Sequence, residues 1–155
     1  MIQRIQTLFL LIVSALLGIL IASPFATVIK ESSQLIFTLR VFEVVAPVGQ
    51  RVELSLLPVV ILTLLCISIS IITILLFRKR MLQIRLCVAN TILLLGLQGL
   101  LYYYSRVAVS IIEGSTSFHL TFIFPLVCAI LTFLALRAVA RDEALVRSSD
   151  RLRHK

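Results

Sequence analysis

The stretch LLPVVILTLLCISISIITILLF, residues 56–77, runs 22 residues without a charged side chain. As a helix rising 1.5 Å per residue it would be about 33 Å long, close to the thickness of a bilayer's hydrocarbon core. Soluble chains average about 45–50% apolar residues. This one is 60% hydrophobic over 155 residues and has no tryptophan. The run therefore reads as a membrane-spanning helix.

Outward from it, three more apolar runs lie near 7–23, 84–105 and 119–136, with charged segments between them. The expected fold is an all-α membrane protein. Residues 1–155 form one bundle of four transmembrane helices, with an outer loop 24–55 and a cytoplasmic tail 137–155. The first run also has the outline of a secretory signal peptide, with Arg4 before the apolar residues and IASPFA after them. Pro24 disrupts either available cleavage site, so a retained helix is expected.

Basic residues set the orientation, because Lys and Arg are kept in the cytoplasm. Arg4, Arg78, Lys79, Arg80, Arg85, Arg137, Arg141, Arg147, Arg151, Arg153 and Lys155 fall on one side, against Asp142, Glu143 and Asp150. The other side carries Lys30, Arg40, Arg51 and Arg106 against Glu31, Glu43, Glu53 and Glu113. Eleven bases less three acids leave the whole formal +8 on the side of both termini, and the opposite side sums to zero. Both termini are thus expected in the cytoplasm.

Within the outer loop, Phe37, Leu39 and Val41 alternate with Thr38 and Arg40, and Val52 and Leu54 alternate with Arg51 and Glu53. That period of two, with Pro47 and Gly49 between, predicts a short extracytoplasmic β-hairpin between helices 1 and 2. It would rest on the helix ends, since an isolated hairpin is marginal.

Several positions are candidates for packing or partners. Ser14, Gly18 and Ala22 recur every four residues on the first helix, a spacing that lets helix backbones approach closely in lipid. Packing within the bundle is expected there, with a dimer seam as the other reading. Asn90 and Gln98 on the third helix are expected to hydrogen-bond neighbouring helices, since amides avoid lipid. At the outer end, LYYYSR places three tyrosines at the membrane interface, Arg106 can pair with Glu113, and Ser117 or a neighbour can cap the fourth helix. His119 reads as a solvated interface residue.

The chemistry-bearing patterns are sparse. Cys66, Cys87 and Cys128 have no CxxC spacing and no histidine nearby, so they read as small packing residues. The helices contain no histidine that could ligate heme and no paired acid and base. No enzyme activity and no cofactor are expected. Transport is disfavoured by the absence of charge within the spans.

The tail RDEALVRSSDRLRHK, residues 141–155, lacks Pro and Gly, and Glu143 precedes Arg147 by four, the favourable ion-pair order. It is expected to continue the fourth helix as a cytoplasmic extension. Its candidate docking residues are Arg141, Leu145, Arg147, Arg151, Leu152 and Arg153. Three partners compete: anionic lipid headgroups, a cytoplasmic protein or ribonucleoprotein, and nucleic acid contacted nonspecifically. The interspersed acids favour a protein.

The opening MIQRIQTLFLL and the ending RDEALVRSSDRLR resemble a family of small four-helix membrane proteins of Bacteroidetes, catalogued as a domain of unknown function. The resemblance spans nearly the whole chain and implies a protein of a Gram-negative inner membrane. It supplies no catalytic residues. A strand-bearing first outer loop also looks like the claudin layout, but the loop tryptophan and cysteine pair of that family are missing. The expected function is a non-enzymatic accessory or scaffold subunit of a larger membrane assembly. The alternative is a small lipid- or quinone-binding protein with its pocket between helices.

Overall fold

The computed structural model describes residues 3–30, 33–38, 44–45, 51–52, 56–76, 79–112 and 115–153. Four helices dominate: α1 (Gln3–Ala22), α2 (Leu57–Leu75), α3 (Arg80–Ile112) and α4 (Phe124–Arg153). Between α1 and α2 lie β1 (Pro24–Lys30), β2 (Ser33–Thr38), β3 (Val44–Val45) and β4 (Arg51–Val52). Strand β5 (Ser115–Phe118) and a 3-10 turn (Leu120–Ile123) join α3 to α4.

Proline marks three of the boundaries. Pro24 has no N–H to donate and disfavours helical backbone at Ser23, so α1 stops and an extended strand begins. Pro58 sits in the first turn of α2, where its missing N–H costs nothing. Pro125 is likewise in the first turn of α4. The α2–α3 link is tight, with Leu76 N–H donating to Ile72 O and Lys79 N–H to Leu76 O.

Each helix packs on its neighbours in sequence, and α4 closes the ring against α1. The buried positions recur at spacings of three and four: Gln6, Leu10, Val13, Leu17 and Leu20 on α1; Leu56 just before α2, then Val59, Thr63, Cys66, Ser70 and Thr73 on it. The series on α3 is Gln83, Cys87, Asn90, Leu94, Leu97, Leu101 and Ser105; Thr121 of the 3-10 turn leads into Pro125, Cys128, Thr132, Ala135 and Val139 on α4, where Ala129 is buried as well. A mean spacing of 3.5 is the signature of left-handed, knobs-into-holes helix packing.

The polarity of this bundle is inverted. Ile61, Ile92 and Leu75 are 63%, 64% and 68% exposed, whereas Thr63, Ser70 and Thr132 are 0% exposed. Water would penalise that exterior, and lipid does not. Three helices are long and apolar enough to cross a membrane, over Leu57–Leu75, Met81–Val107 and Leu120–Leu145. The apolar part of α1, Gln6–Ala22, is shorter, at the lower limit of about 17 residues for a span.

Antiparallel strand pairs do lie between α1 and α2, as expected, but with other partners. Strand β2 pairs antiparallel with β1, not with the segment near Arg51, and β5 pairs on the other side of β1 to give the order β2-β1-β5. Arg51 and Val52 pair instead with Val45 and Val44. The expected strand residues 39–41, 53 and 54, and the turn residues Pro47 and Gly49, lie outside the described residues. The reason for the miss is β1 itself. Its apolar PFATVIK follows the first helix directly, and Phe25 and Ala26 are buried in the core. Ser115, Thr116 and Ser117, of which Ser117 was expected to cap the fourth helix, form most of β5.

Helix lengths also differ. α3 extends beyond the expected 84–105 at both ends, and α4 begins at 124, after β5 and the turn. Ser117 is in β5, so it does not cap α4. His119 occupies the N-cap of the 3-10 turn with extended backbone and no side-chain cap bond. The expected Arg106–Glu113 pair involves Glu113, which is outside the described residues.

The small-residue face of α1 needs correction as well. Gly18 and Ala22 are exposed and Ser14 only half-buried, while the seam uses Leu10, Val13, Leu17 and Leu20. A Cβ added at Gly18 would meet nothing within 4 Å. Gly18→Leu is therefore expected to leave the detergent melting temperature unchanged or raise it, since leucine favours helix over glycine by up to about 1 kcal/mol. A clear drop would place a second backbone against this face.

Candidate functional site

The sheet lies at the end of the bundle where α1 stops and α2 and α4 start, so both termini and the α2–α3 link share the opposite end. Strand β1 is fastened to the 3-10 turn that leads into α4 through three contacts. Thr27 Oγ1 and His119 Nε2 are 2.7 Å apart, His119 N–H donates to Phe25 O at 3.2 Å, and Thr121 Oγ1 donates to Pro24 O at 2.9 Å. His119 is exposed and bonded to β1. Tyr102 and Tyr103 are exposed near this end, and Tyr103 meets Tyr104 edge-to-face at 5.8 Å.

The opposite end carries the charge. Val139 is the last buried side chain described on α4, and the helix continues to Arg153. Those 14 further residues rise about 21 Å. Arg137, Arg141 and Leu145 are exposed, whereas Asp142 and Glu143 are half-buried. Lys79 and Arg85 on the neighbouring link and α3 are also exposed. The outward side of the described tail is thus basic and apolar, with the acids less accessible. Arg147, Arg151, Leu152 and Arg153 lie on the same continuous helix, as the sequence predicted.

Between these ends the core changes in makeup. Toward the sheet it is mostly apolar: Leu17, Leu20, Phe25, Leu56, Val59, Leu97 and Leu101 form one cluster with Val13, Cys66, Leu94 and Cys128, and Thr63, Ser105 and Thr121 are also buried in that half. Toward the termini polar side chains are mixed with Leu10, Cys87, Ala135 and Val139. Asn90 Nδ2 donates to Ser70 Oγ at 3.0 Å, and Gln83 Nε2 donates to Thr73 O at 3.2 Å, two bonds that tie α3 to α2. Ser70, Thr73 and Thr132 each donate to the carbonyl four residues earlier, which satisfies a hydroxyl without a partner helix. Asn90 thus meets a neighbouring helix. Gln98 is half-buried, with its Oε1 buried and unpartnered.

The three cysteines are buried and free, and Cys128 Sγ lies 3.8 Å from Val13 O. Among the described residues no three His, Cys, Asp or Glu side chains come together as a metal site would require.

Residues 2–152 match a family model described as a domain of unknown function, DUF4293. The chain belongs to that family. No curated protein matches it. The DUF4293 match takes in the bundle, the sheet and nearly all of the α4 extension, so the tail is part of the family's domain and not an appendage to it.

Sequence reasoning singled out Asn90 and Gln98 in this DUF4293 chain but missed Gln6, Ser70, Thr73, Gln83 and Thr132. The signal was present in the 3.5-residue spacing through residues 56–73. Gln83 was missed because α3 starts a turn earlier than its apolar run.

Proposed function

We propose that this protein is an integral four-helix subunit of the inner membrane of a Gram-negative bacterium of the Bacteroidetes, with both termini cytoplasmic. It acts without enzymatic chemistry, as an accessory or scaffold subunit of a larger membrane assembly, and docks a cytoplasmic protein on the basic C-terminal part of α4. The observation that carries the reading is the charge asymmetry of the sequence: the segments between the first and second and between the third and fourth apolar runs sum to zero, and the termini with the link between the second and third runs carry the whole +8. Membrane lipids surround the apolar exterior, and nucleic acid is reached only through a ribonucleoprotein partner if at all.

The topology has a direct check. Ser33→Cys and Ser115→Cys are expected to react with a membrane-impermeant thiol reagent in intact spheroplasts, and Ser149→Cys only after lysis. Labelling of Ser149→Cys alone would reverse the orientation. Copurification from native membranes tests the function. A scaffold brings down a protein at fixed stoichiometry, whereas the alternative lipid- or quinone-binding protein brings down a small molecule and no protein.

A further inference from the structure

Two buried polar atoms among the described residues have no hydrogen-bond partner, and both are acceptors: Oδ1 of Asn90 and Oε1 of Gln98. Asn90 is the more constrained, at 1% exposure. Its orientation follows from Ser70. The Ser70 hydroxyl donates to Cys66 O at 2.9 Å, so it has only lone pairs left for Asn90 and must accept from Nδ2. Oδ1 is then turned away from the one polar side chain that Asn90 contacts. Thr73 and Thr132 have no proton to offer it, because theirs go to Ile69 O and Cys128 O. Leucine occupies the same seam at 94, 97 and 101, so an apolar residue fits this helix face. An amide that leaves its acceptor unpaired in such a seam calls for a donor from outside the protein.

We infer that Asn90 Oδ1 is the binding site of a small hydrogen-bond donor within the bundle, and that water reaching it from the end that carries the termini fills that role. The route is chemical. Gln6, Thr73 and Gln83 place buried polar groups between Asn90 and the termini, among Leu10, Cys87, Ala135 and Val139, whereas the next buried positions of α3 toward the sheet are Leu94, Leu97 and Leu101. A quinone does not complete the site, because both its oxygens are themselves acceptors. The same donor chemistry exists in the hydroxyl or ammonium of a lipid headgroup, and the experiment separates that source from water.

Asn90 is the only asparagine in the chain, so isotopically labelled asparagine reports on this one site. The full chain is reconstituted in phosphatidylcholine, whose headgroup has no O–H or N–H. Solid-state NMR then follows magnetisation from water to the Asn90 side-chain amide. Transfer is expected. Transfer seen only in phosphatidylethanolamine or phosphatidylglycerol membranes, and from headgroup protons, would overturn water as the donor. Absence of transfer from either source would overturn the site itself.

Discussion

Phe25→Ala is expected to lower the free energy of unfolding by about 3–5 kcal/mol, the range for truncating a fully buried phenylalanine. Phe25 heads the largest fully buried side chains and sits at the second position of β1, 1% exposed. Its backbone carbonyl accepts from His119 N–H, and Pro24 O beside it accepts from Thr121 Oγ1. The ring thus anchors the central strand into the helical core at the point where that strand also grips the start of α4. Short strands need a packed apolar face to be stable, and Phe25 supplies it for β1, so a cavity here should release the whole sheet end. Unfolding in detergent, followed by helix content, reads the global loss, and hydrogen exchange along β1 reads the local one. Leu120→Ala, at 77% exposure, is the control and is expected to stay within about 0.5 kcal/mol. An unchanged midpoint for Phe25→Ala would mean that β1 does not hold the bundle's mouth.

That anchoring role could not be read from the chain, and the reason is physical. A membrane span must satisfy every backbone group internally and face lipid with apolar side chains, so each helix leaves a continuous local record. Residues 56–77 show this directly. A strand's partner is settled by contacts distant in sequence. Thr27 pairs with Ile36 nearby but also with Ser117, 90 residues on, and neither neighbour is encoded in PFATVIK itself. The expected alternation at 37–41 and 51–54 overlaps the observed strands only at 37–38 and 51–52, and the pairing was not legible.

Boundaries fail for a related reason. Arg80–Gln83 and Arg106–Ile112 are helical in α3 but lie outside its most apolar stretch. Hydropathy marks how much of a helix suits lipid, and not where its hydrogen-bond ladder stops. Spacing has a similar blind spot. Ser14, Gly18 and Ala22 share a face by arithmetic alone, but which face turns inward depends on the larger side chains of the same helix. Leu10, Val13, Leu17 and Leu20 fill the interior, and that rotates Gly18 outward. Asn90 and Gln98 carried the same expectation, and they differ: Asn90 bonds Ser70 on α2, whereas the buried Oε1 of Gln98 has no partner. The unpaired oxygen of Asn90 emerges only once Ser70 is known to spend its proton on Cys66.

The tail offers the prediction with the largest functional effect. Arg141, Arg147, Arg151 and Arg153 changed together to lysine keep the formal charge, and lysine is as good a point charge for an anionic bilayer, worth about 1 kcal/mol per residue near the surface. Insertion, orientation and accumulation are therefore expected to match wild type. Planar two-pronged contacts with carboxylates are a different matter, because an ammonium cannot reproduce the guanidinium fork. If α4 docks a protein, the fourfold variant loses that partner in copurification while remaining in the membrane. Leu145→Ser with Leu152→Ser should cause the same loss with every charge intact; Leu145 is 56% exposed on the described part of the extension, and Leu152 follows seven residues later on the same helix. The two variants divide the alternatives. Loss in the leucine pair alone makes the contact an apolar one, with arginine acting only as charge. Retention of the partner by both at wild-type stoichiometry removes the extension as its docking site and leaves the eight excess charges at that end to orientation and lipid contact.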